Sequence, residues 1–421
     1  MSSGPLSLYI HIPWCSVRCG YCDFNTYVTD TSNSANTAPY IEAVRKEIAL
    51  ASATLKGGWV KTVYFGGGTP TLMSAVDMGR ILSTVRRSFD LDDSAEITTE
   101  ANPETLSPEY LEDVRGVGVN RLSLGMQSAV PHVLATLDRV HTPGRALESV
   151  AWARKADFDQ VSLDLIYGTP GESMEDWEAT LVSALAAKPD HVSAYSLIVE
   201  DGTPLARRMA AGLLPYPDDD SLADKYVLAE ALLSNGGLTW YEVSNWSKPN
   251  RECKHNMNYW RSGDWWGIGA GAHSHLDGTR WWNYRRPATY ISKLNEGKSP
   301  SQGSETLTAD ERHEEKLMLK IRLGEGLSVA DLTDAEYARA EDYLGSGHLV
   351  LTGSRLVCTV AGRLIADKIV RDILMASPRM ARREKPKDLP PIPPPPPGEP
   401  VVAELTPEST IRISEVQWAH G

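Results

Sequence analysis

The sequence predicts an α/β protein: a partial (β/α)6 barrel, a small α+β module behind it, and a disordered proline-rich tail. Three observations carry that expectation. Over the first two hundred residues, apolar β-branched runs alternate six times with amphipathic helical stretches. Each unit takes roughly 30 residues, the length that a parallel βαβ crossover needs. Past residue 300 the alternation gives way to short helices and a hairpin, and beyond Ser377 the string ARREKPKDLPPIPPPPPGEP cannot pack a core.

The strands expected in the barrel are Leu8–Trp14, Thr62–Phe65, Glu96–Ala101, Arg121–Met126, Gln160–Tyr167 and His191–Val199. Between them, APYIEAVRKEIALASA repeats Ile41, Val44, Ile48 and Ala51 at helical spacing, and MEDWEATLVSALAA sets Trp177, Leu181 and Leu185 on one face. Barrels of this kind bind ligands at the C-terminal ends of their strands, so the residues just past each strand are the first candidates. The barrel is expected over residues 5–200, and a Trp- and Tyr-rich extension over 201–300, opened by a helix at Ser221–Ser234. In 305–375, HEEKLMLKIRL, SVADL and AEYARAEDYL read as helices and HLVLTGSRLVCTV as a hairpin before a last helix, a winged-helix-like pattern. The tail covers 377–421, where VVAELTPESTIRISEVQW alternates weakly, as one further strand would.

Composition narrows the function classes. The 421 residues are 42% hydrophobic and 23% charged, an ordinary soluble balance, with a formal net charge of −13 that disfavours nucleic acid as the main partner. No apolar run reaches membrane-spanning length, and the first residues lack a basic segment followed by an apolar one, so a cytoplasmic location is expected. Peripheral membrane contact stays open. Five cysteines, three of them within eight residues, form no disulfide framework and point to metal. Cys358, in RLVCTV, reads as a small buried apolar residue.

LYIHIPWCSVRCGYCDF sets Cys15, Cys19 and Cys22 at CxxxCxxC spacing directly after an apolar strand. Three thiolates on a cubane 4Fe–4S cluster leave one iron open, and an amino acid can chelate it. S-adenosylmethionine (SAM) bound there would lay its sulfonium against the cluster, and one electron would release a 5′-deoxyadenosyl radical. Tyr21, next to Cys22, could lay its ring on the adenine. The competing reading is structural zinc, with His11 as fourth ligand, but such sites usually pair two CxxC-like hooks and no second hook follows.

This loop resembles the radical SAM superfamily. The longer string YIHIPWC…C..CDFN, with GGGTPT and EANPE, is similar to the subgroup containing oxygen-independent coproporphyrinogen III oxidase (HemN) and the HemW haem chaperones, over about residues 5–375. The resemblance implies that Tyr9, Gly67, Gly68, Thr69, Glu100, Gln127, Arg139 and Asp164 stand at SAM-contacting positions. From the residues alone, Gly66–Gly68 let a backbone approach a ligand closely, while charges inside barrel strands need partners. The alternative for those charges is an internal Arg139–Asp164 salt bridge.

Within the subgroup, the oxidases carry CxxxCxxCxC, whereas Phe24 stands at that last position, and they carry an extension ahead of the first strand, which here begins by Leu8. Both features match the haem chaperones. RECKHNMNYW adds the HNxxYW signature of that family, which implies that His255 ligates haem iron with Tyr259 and Trp260 helping to form the pocket. Imidazole is a good axial ligand and aromatics can cover a porphyrin face. The bland alternative is a histidine satisfied inside the core, and Cys253 is a rival ligand. The expected activity is therefore haem binding and transfer to acceptor haemoproteins such as respiratory cytochromes, with an electron donor for the cluster. A radical SAM enzyme is the alternative, its leading reaction coproporphyrinogen dehydrogenation, although Phe24 predicts that this activity is absent. The third reading is a cluster-sensing DNA-binding regulator, against which residues 305–375 set 13 Asp and Glu against 9 Lys and Arg.

Overall fold

The fold comes from a computed structural model that describes residues 4–139, 142 and 144–376; the expected proline-rich tail and its weak strand lie outside the described residues. All six expected strands form: β1 (Leu6–Ile12), β2 (Trp59–Gly67), β3 (Asp90–Ala101), β4 (Arg121–Gln127), β5 (Gln160–Tyr167) and β6 (His191–Ser196). They pair in sequence order and in parallel. β1 stops one residue before Pro13, whose missing N–H breaks the ladder that the expected Leu8–Trp14 strand would have continued. Trp14–Cys15 instead pairs with Tyr27–Val28 across the cysteine loop.

Helices α1 (Ser34–Leu55), α2 (Ala75–Ser88), α3 (Pro108–Gly116), α4 (Arg145–Lys155) and α5 (Met174–Ala186) follow the first five strands, and α6 (Asp219–Asn235) comes after β6. Side-chain caps fix several starts: Asn33 on α1, Ser74 on α2, Ser107 on α3 and a Ser173–Asp176 capping box on α5. Ile41, Val44, Ile48 and Ala51 are all buried, as their spacing predicts, and so are Trp177 and Leu181.

The Trp-rich stretch supplies both edges of the same sheet. On one side, β7 (Thr239–Glu242) and β8 (Asn245–Ser247) run antiparallel beyond β6. On the other, β9 (Asp264–Ile268) adds a seventh parallel strand beside β1, followed by β10 (His273–Leu276), β11 (Thr279–Asn283) and β12 (Ser301–Thr306). The sheet thus has twelve strands in the order β12-β11-β10-β9-β1-β2-β3-β4-β5-β6-β8-β7. The short helix α7 (Lys254–Trp260) bridges the two edges.

Residues on the parallel strands alternate. Leu8, Ile10, Val63, Leu122, Leu124, Leu163 and Val192 join the apolar layer shared with the helices. Tyr64, Glu100, Arg121, Ser123, Asp164, His191, Ser193 and Tyr195 line a cavity inside the curve of the sheet. Burial on both faces is what a helix-covered parallel sheet produces, but here the inner face is polar.

The C-terminal module packs the helices Ala309–Lys320, Asp334–Gly345 and Ala366–Met375 on a three-stranded sheet, with its own core of Leu317, Ile321, Leu349, Leu356, Ile369 and Ile373. Cys358 belongs to that core, as expected. SVADL forms only a 3-10 turn, Val329–Asp331, rather than a helix. The module docks on the barrel through Leu319 and Leu323 against Tyr241, Met257 and Trp260, and through an Arg363–Glu230 ion pair of 2.6 Å.

Candidate cofactor cavity and the buried histidine helix

The inner cavity, of about 220 Å³, opens at the C-terminal ends of the strands, and Cys15, Cys19 and Cys22 all line it. Backbone bonds pin the loop that carries them: Gly20 donates to Leu137 O at 3.1 Å and accepts from Leu205 N at 2.8 Å. A Cβ at Gly20 would lie 2.1 Å from Asp138 Oδ2, so a larger residue there would have to displace that carboxylate. Among the described residues no three His, Cys, Asp or Glu side chains close on a single ion position. The three cysteines share the wall of one cavity, as the ligands of a single cluster must. His11 is also unavailable as a fourth zinc ligand, since Nδ1 pairs with Tyr9 OH and Nε2 with Asn25 O, both at 3.0 Å. Burial pushes the Cys22 thiol up to about 11, and ligation to iron would supply the positive charge that ionises it.

The glycine run after β2 is held by contacts within the protein. A Cβ at Gly68 would sit 2.3 Å from Trp14 O, and one at Gly67, where φ is 115°, would sit 2.5 Å from the His11 ring. The following N–H groups are engaged: Gly67 donates to Glu100 Oε2 at 3.1 Å, Gly68 to Ile12 O and Thr69 to Trp14 O. Gly67, Gly68 and Thr69 nevertheless form part of the cavity wall. Glu100 also accepts from Tyr64 OH at 2.9 Å. Burial, reinforced by the nearby Asp164, pushes its carboxyl up to about 8.

The alternative weighed for these charges, an Arg139–Asp164 salt bridge, is not the arrangement found. Asp164 sits in a cage of serine hydroxyls, accepting from Ser123 at 2.8 Å and Ser193 at 2.9 Å, with Ser162 at 3.4 Å. Arg139 instead donates to Cys19 Sγ at 3.2 Å and to Gly125 O at 3.3 Å. Its Nε and the Gln127 Oε1 are buried with no partner among the described residues. Buried polar atoms left open in a cavity are where a bound polar ligand restores lost hydrogen bonds. Gln127 is held there with φ at 57°, a strained conformation of the kind that concentrates at functional sites. The donors and acceptors around the thiols therefore fit a cluster and an amino-acid-bearing cofactor.

Tyr21 lines the cavity as expected, but Tyr9 does not; it lies behind Tyr64, with ring centroids 6.2 Å apart, and Tyr64 forms the wall. Tyr64, Arg121, His191, Ser193 and Tyr195 are wall residues that the sequence reading missed. The signal was present as a period of two within the strands, in RLSLG, SLDLI and HVSAYS.

HNMNYW forms α7 and its residues are brought together, but as core. His255 is 1% exposed; its Nδ1 pairs with Thr62 Oγ1 at 2.7 Å and its Nε2 with Tyr259 OH at 2.8 Å, while Tyr64 stacks on the ring at 5.0 Å. The imidazole is thus not presented to a porphyrin in this conformation, and the satisfied core histidine weighed against haem ligation is the arrangement found. Trp260 packs against Leu319 and Leu323 at the module interface. Glu96, from β3, fastens the start of the helix by accepting from the N–H groups of His255 and Lys254 at 3.0 and 3.1 Å. Cys253 is equally buried, its thiol 3.6 Å from Glu96 and pushed up to about 12 by burial.

A family model of the radical SAM superfamily matches residues 9–184, and one of the HemN C-terminal domain matches residues 307–365. The chain is 50% identical over 374 residues to a protein of Mycobacterium tuberculosis named heme chaperone HemW, spanning 89% of this chain and 96% of that one. A Bacillus subtilis protein of the same name is 35% identical over 80% of this chain and 88% of its own. Among solved structures, the Escherichia coli coproporphyrinogen III oxidase HemN, a radical SAM enzyme, superposes with a TM-score of 0.75 over 88% of this chain and 89% of its own. At 24% identity that likeness speaks for the fold alone.

Proposed function

The chain belongs to the HemW family of radical SAM proteins, and we propose from that premise that it binds haem in the cytoplasm and passes it to acceptor haemoproteins, respiratory cytochromes among them. The near-full-length identity to the mycobacterial haem chaperone carries this reading. Among the described residues no helix is long and apolar enough to cross a membrane.

In this reading Cys15, Cys19 and Cys22 hold a 4Fe–4S cluster that a separate electron donor reduces. Tyr21, Gly67, Gly68, Thr69, Glu100, Gln127, Arg139 and Asp164 would hold SAM, with Tyr9 supporting the wall from behind Tyr64. Cluster and SAM together supply reductive cleavage of a carbon–sulfur bond. The chain's own groups set the conditions for it. Arg139 keeps a positive charge against the Cys19 sulfur, while burial pushes the Asp164 carboxyl above its ordinary range and the hydroxyls of the serine cage only partly offset that rise. Gln127 Oε1 and Arg139 Nε offer an open acceptor and donor to the amino-acid end of the cofactor. Phe24 sits on the cavity wall where the oxidases carry a further cysteine, so coproporphyrinogen III is not expected to be oxidised.

Haem ligation by His255, with Tyr259 and Trp260 around it, requires the Thr62 and Tyr259 hydrogen bonds to release the ring. Haem binding and a local opening of α7 are then one event. The test is anaerobically reconstituted protein loaded with haem and mixed with a haem-free acceptor. Gain of the acceptor's haem spectrum, with loss from this protein, is expected. Turnover of coproporphyrinogen III without haem transfer would overturn the proposal.

A further inference from the structure

At the opposite end of the barrel, below the starts of β1 and β2, a second cavity of about 900 Å³ opens between the strands, α7 and the C-terminal module. Small-molecule sites typically measure ~300–1,000 Å³, so this groove is large enough for a ligand the size of a tetrapyrrole. α7 is the partition between the two cavities, and helical spacing sorts its side chains. Cys253 and Asn256, three apart, face the cofactor cavity, whereas Lys254, Met257, Asn258 and Arg261 face the groove. His255 lies inside the partition, bonded to Thr62 on the groove side and stacked on Tyr64 on the cofactor side.

The groove joins an apolar wall to a mixed set of charges in which the cations outnumber the carboxylates by one. Leu238, Tyr241 and Met257 supply the wall. Two of its cations are already paired, Arg261 with Glu325 and Arg363 with Glu230, each at 2.6 Å. Lys61 and Lys254 are exposed at its rim and make no ion pair among the described residues, although Lys61 Nζ lies 4.2 Å over the Trp59 ring and Glu252 also lines the groove. Trp240 is 8% exposed, yet its indole N–H has no acceptor among the described residues. Burying such a donor without an acceptor costs free energy that a bound carboxylate would recover. Of the seven charged side chains in the groove two pairs cancel, so Lys61, Lys254 and Glu252 leave one net positive charge, which with the buried indole N–H beside an apolar wall suits a flat apolar anion.

We propose that this groove is the seat of the porphyrin. Its ring lies along the Leu238–Tyr241–Met257 wall, and its carboxylates meet Lys61, Lys254 and the Trp240 indole. The proposal rests on the haem-binding reading above and gives it a location. It also gives α7 a role: a ligand in the groove presses on the same helix whose other face closes the cofactor cavity.

The test uses the full chain, reconstituted anaerobically and titrated with haem and separately with iron-free protoporphyrin IX. The Lys61→Glu/Lys254→Glu double variant should bind both ligands about tenfold more weakly or worse, with cluster absorbance and melting temperature unchanged. Lys155→Glu, on the outer end of α4, should bind like the parent. If the parent binds haem and the double variant matches it, the groove is wrong while the haem reading stands. If iron-free protoporphyrin fails to bind the parent, the seat is not built on carboxylates and the proposal also falls. If the parent binds no haem at all, the functional reading itself has failed.

Discussion

The cofactor cavity and the His255 ring rest on the same strands, yet their polar groups are met in different ways. Around the thiols, Arg139 Nε and Gln127 Oε1 are left without partners, Gln127 adopts a positive φ, and Glu100 is pushed toward neutrality. Four or five residues further down the same strands, around α7, His255 has both ring nitrogens engaged and Glu96 caps the helix from β3. Unmet hydrogen bonds and strain mark the cavity that a ligand completes; the His255 ring is already satisfied by the fold, although Asn256 Oδ1 and Trp260 Nε1 on the same helix are buried without partners among the described residues. A signature motif can belong to either kind.

Four measurements would break or sharpen this contrast. The largest effect is expected at the thiols: Cys19→Ala should leave reconstituted protein with almost no bound iron and sulfide. Cys358→Ala should keep both and lose only about 1–3 kcal/mol of stability from its small core site. Equal loss of iron in the two variants would erase the distinction.

Next comes His255. Because its ring is fully engaged without any ligand, His255→Ala should cost the cofactor-free protein about 2–4 kcal/mol, read as a lower urea midpoint at unchanged slope. An unchanged midpoint would mean that the ring is not fastened in the free protein, and α7 would then resemble the open cofactor wall. Gly68→Ala should cost somewhat less, about 1–3 kcal/mol, because its methyl must displace the Trp14 carbonyl only 2.3 Å away. Gly116→Ala, where a Cβ would meet nothing within 4 Å, is the matched control.

The smallest effect is a pH slope. Glu100 in the fold holds its proton up to about 8, whereas the unfolded chain releases it near 4.5. In that interval the native state binds more protons, so stability of the cofactor-free protein should fall as pH rises from about 4.5 to about 8. Glu100→Gln should remove part of the slope. Glu47 and Glu242, each pushed up to about 7 mainly by burial, should retain the rest. A Glu100→Gln protein with an undiminished slope would take Glu100 out of the strained set.

Much of this was legible in the sequence for local reasons. The strand cores follow from runs such as VSLDLIYG, and α1 and α5 follow from apolar spacing. The CxxxCxxC loop was legible because its ligands are neighbours in the chain. What escaped was set by distant partners. β9 is five residues of DWWGI, and its identity as a seventh parallel strand depends on β1, more than 250 positions away. The burial of His255 depends on Thr62 and Tyr64 from β2, which no pattern inside HNMNYW can reveal. Asp164 invited an arginine partner, yet three serines on neighbouring strand positions satisfy it, a solution visible only once the strand register is known.

The pairing of β1 with β9 also bears on how the protein is made. β1 ends at Ile12, but β9 is complete only at Ile268. At ~5–20 residues per second of ribosomal synthesis, roughly 13–50 s separate the two. Throughout that interval the strand carrying the cysteine loop has one hydrogen-bonding edge without its native neighbour. The thiols leave the ribosome long before the sheet beside them can close, so a cluster-delivery factor acting during translation would meet them on an unfinished sheet.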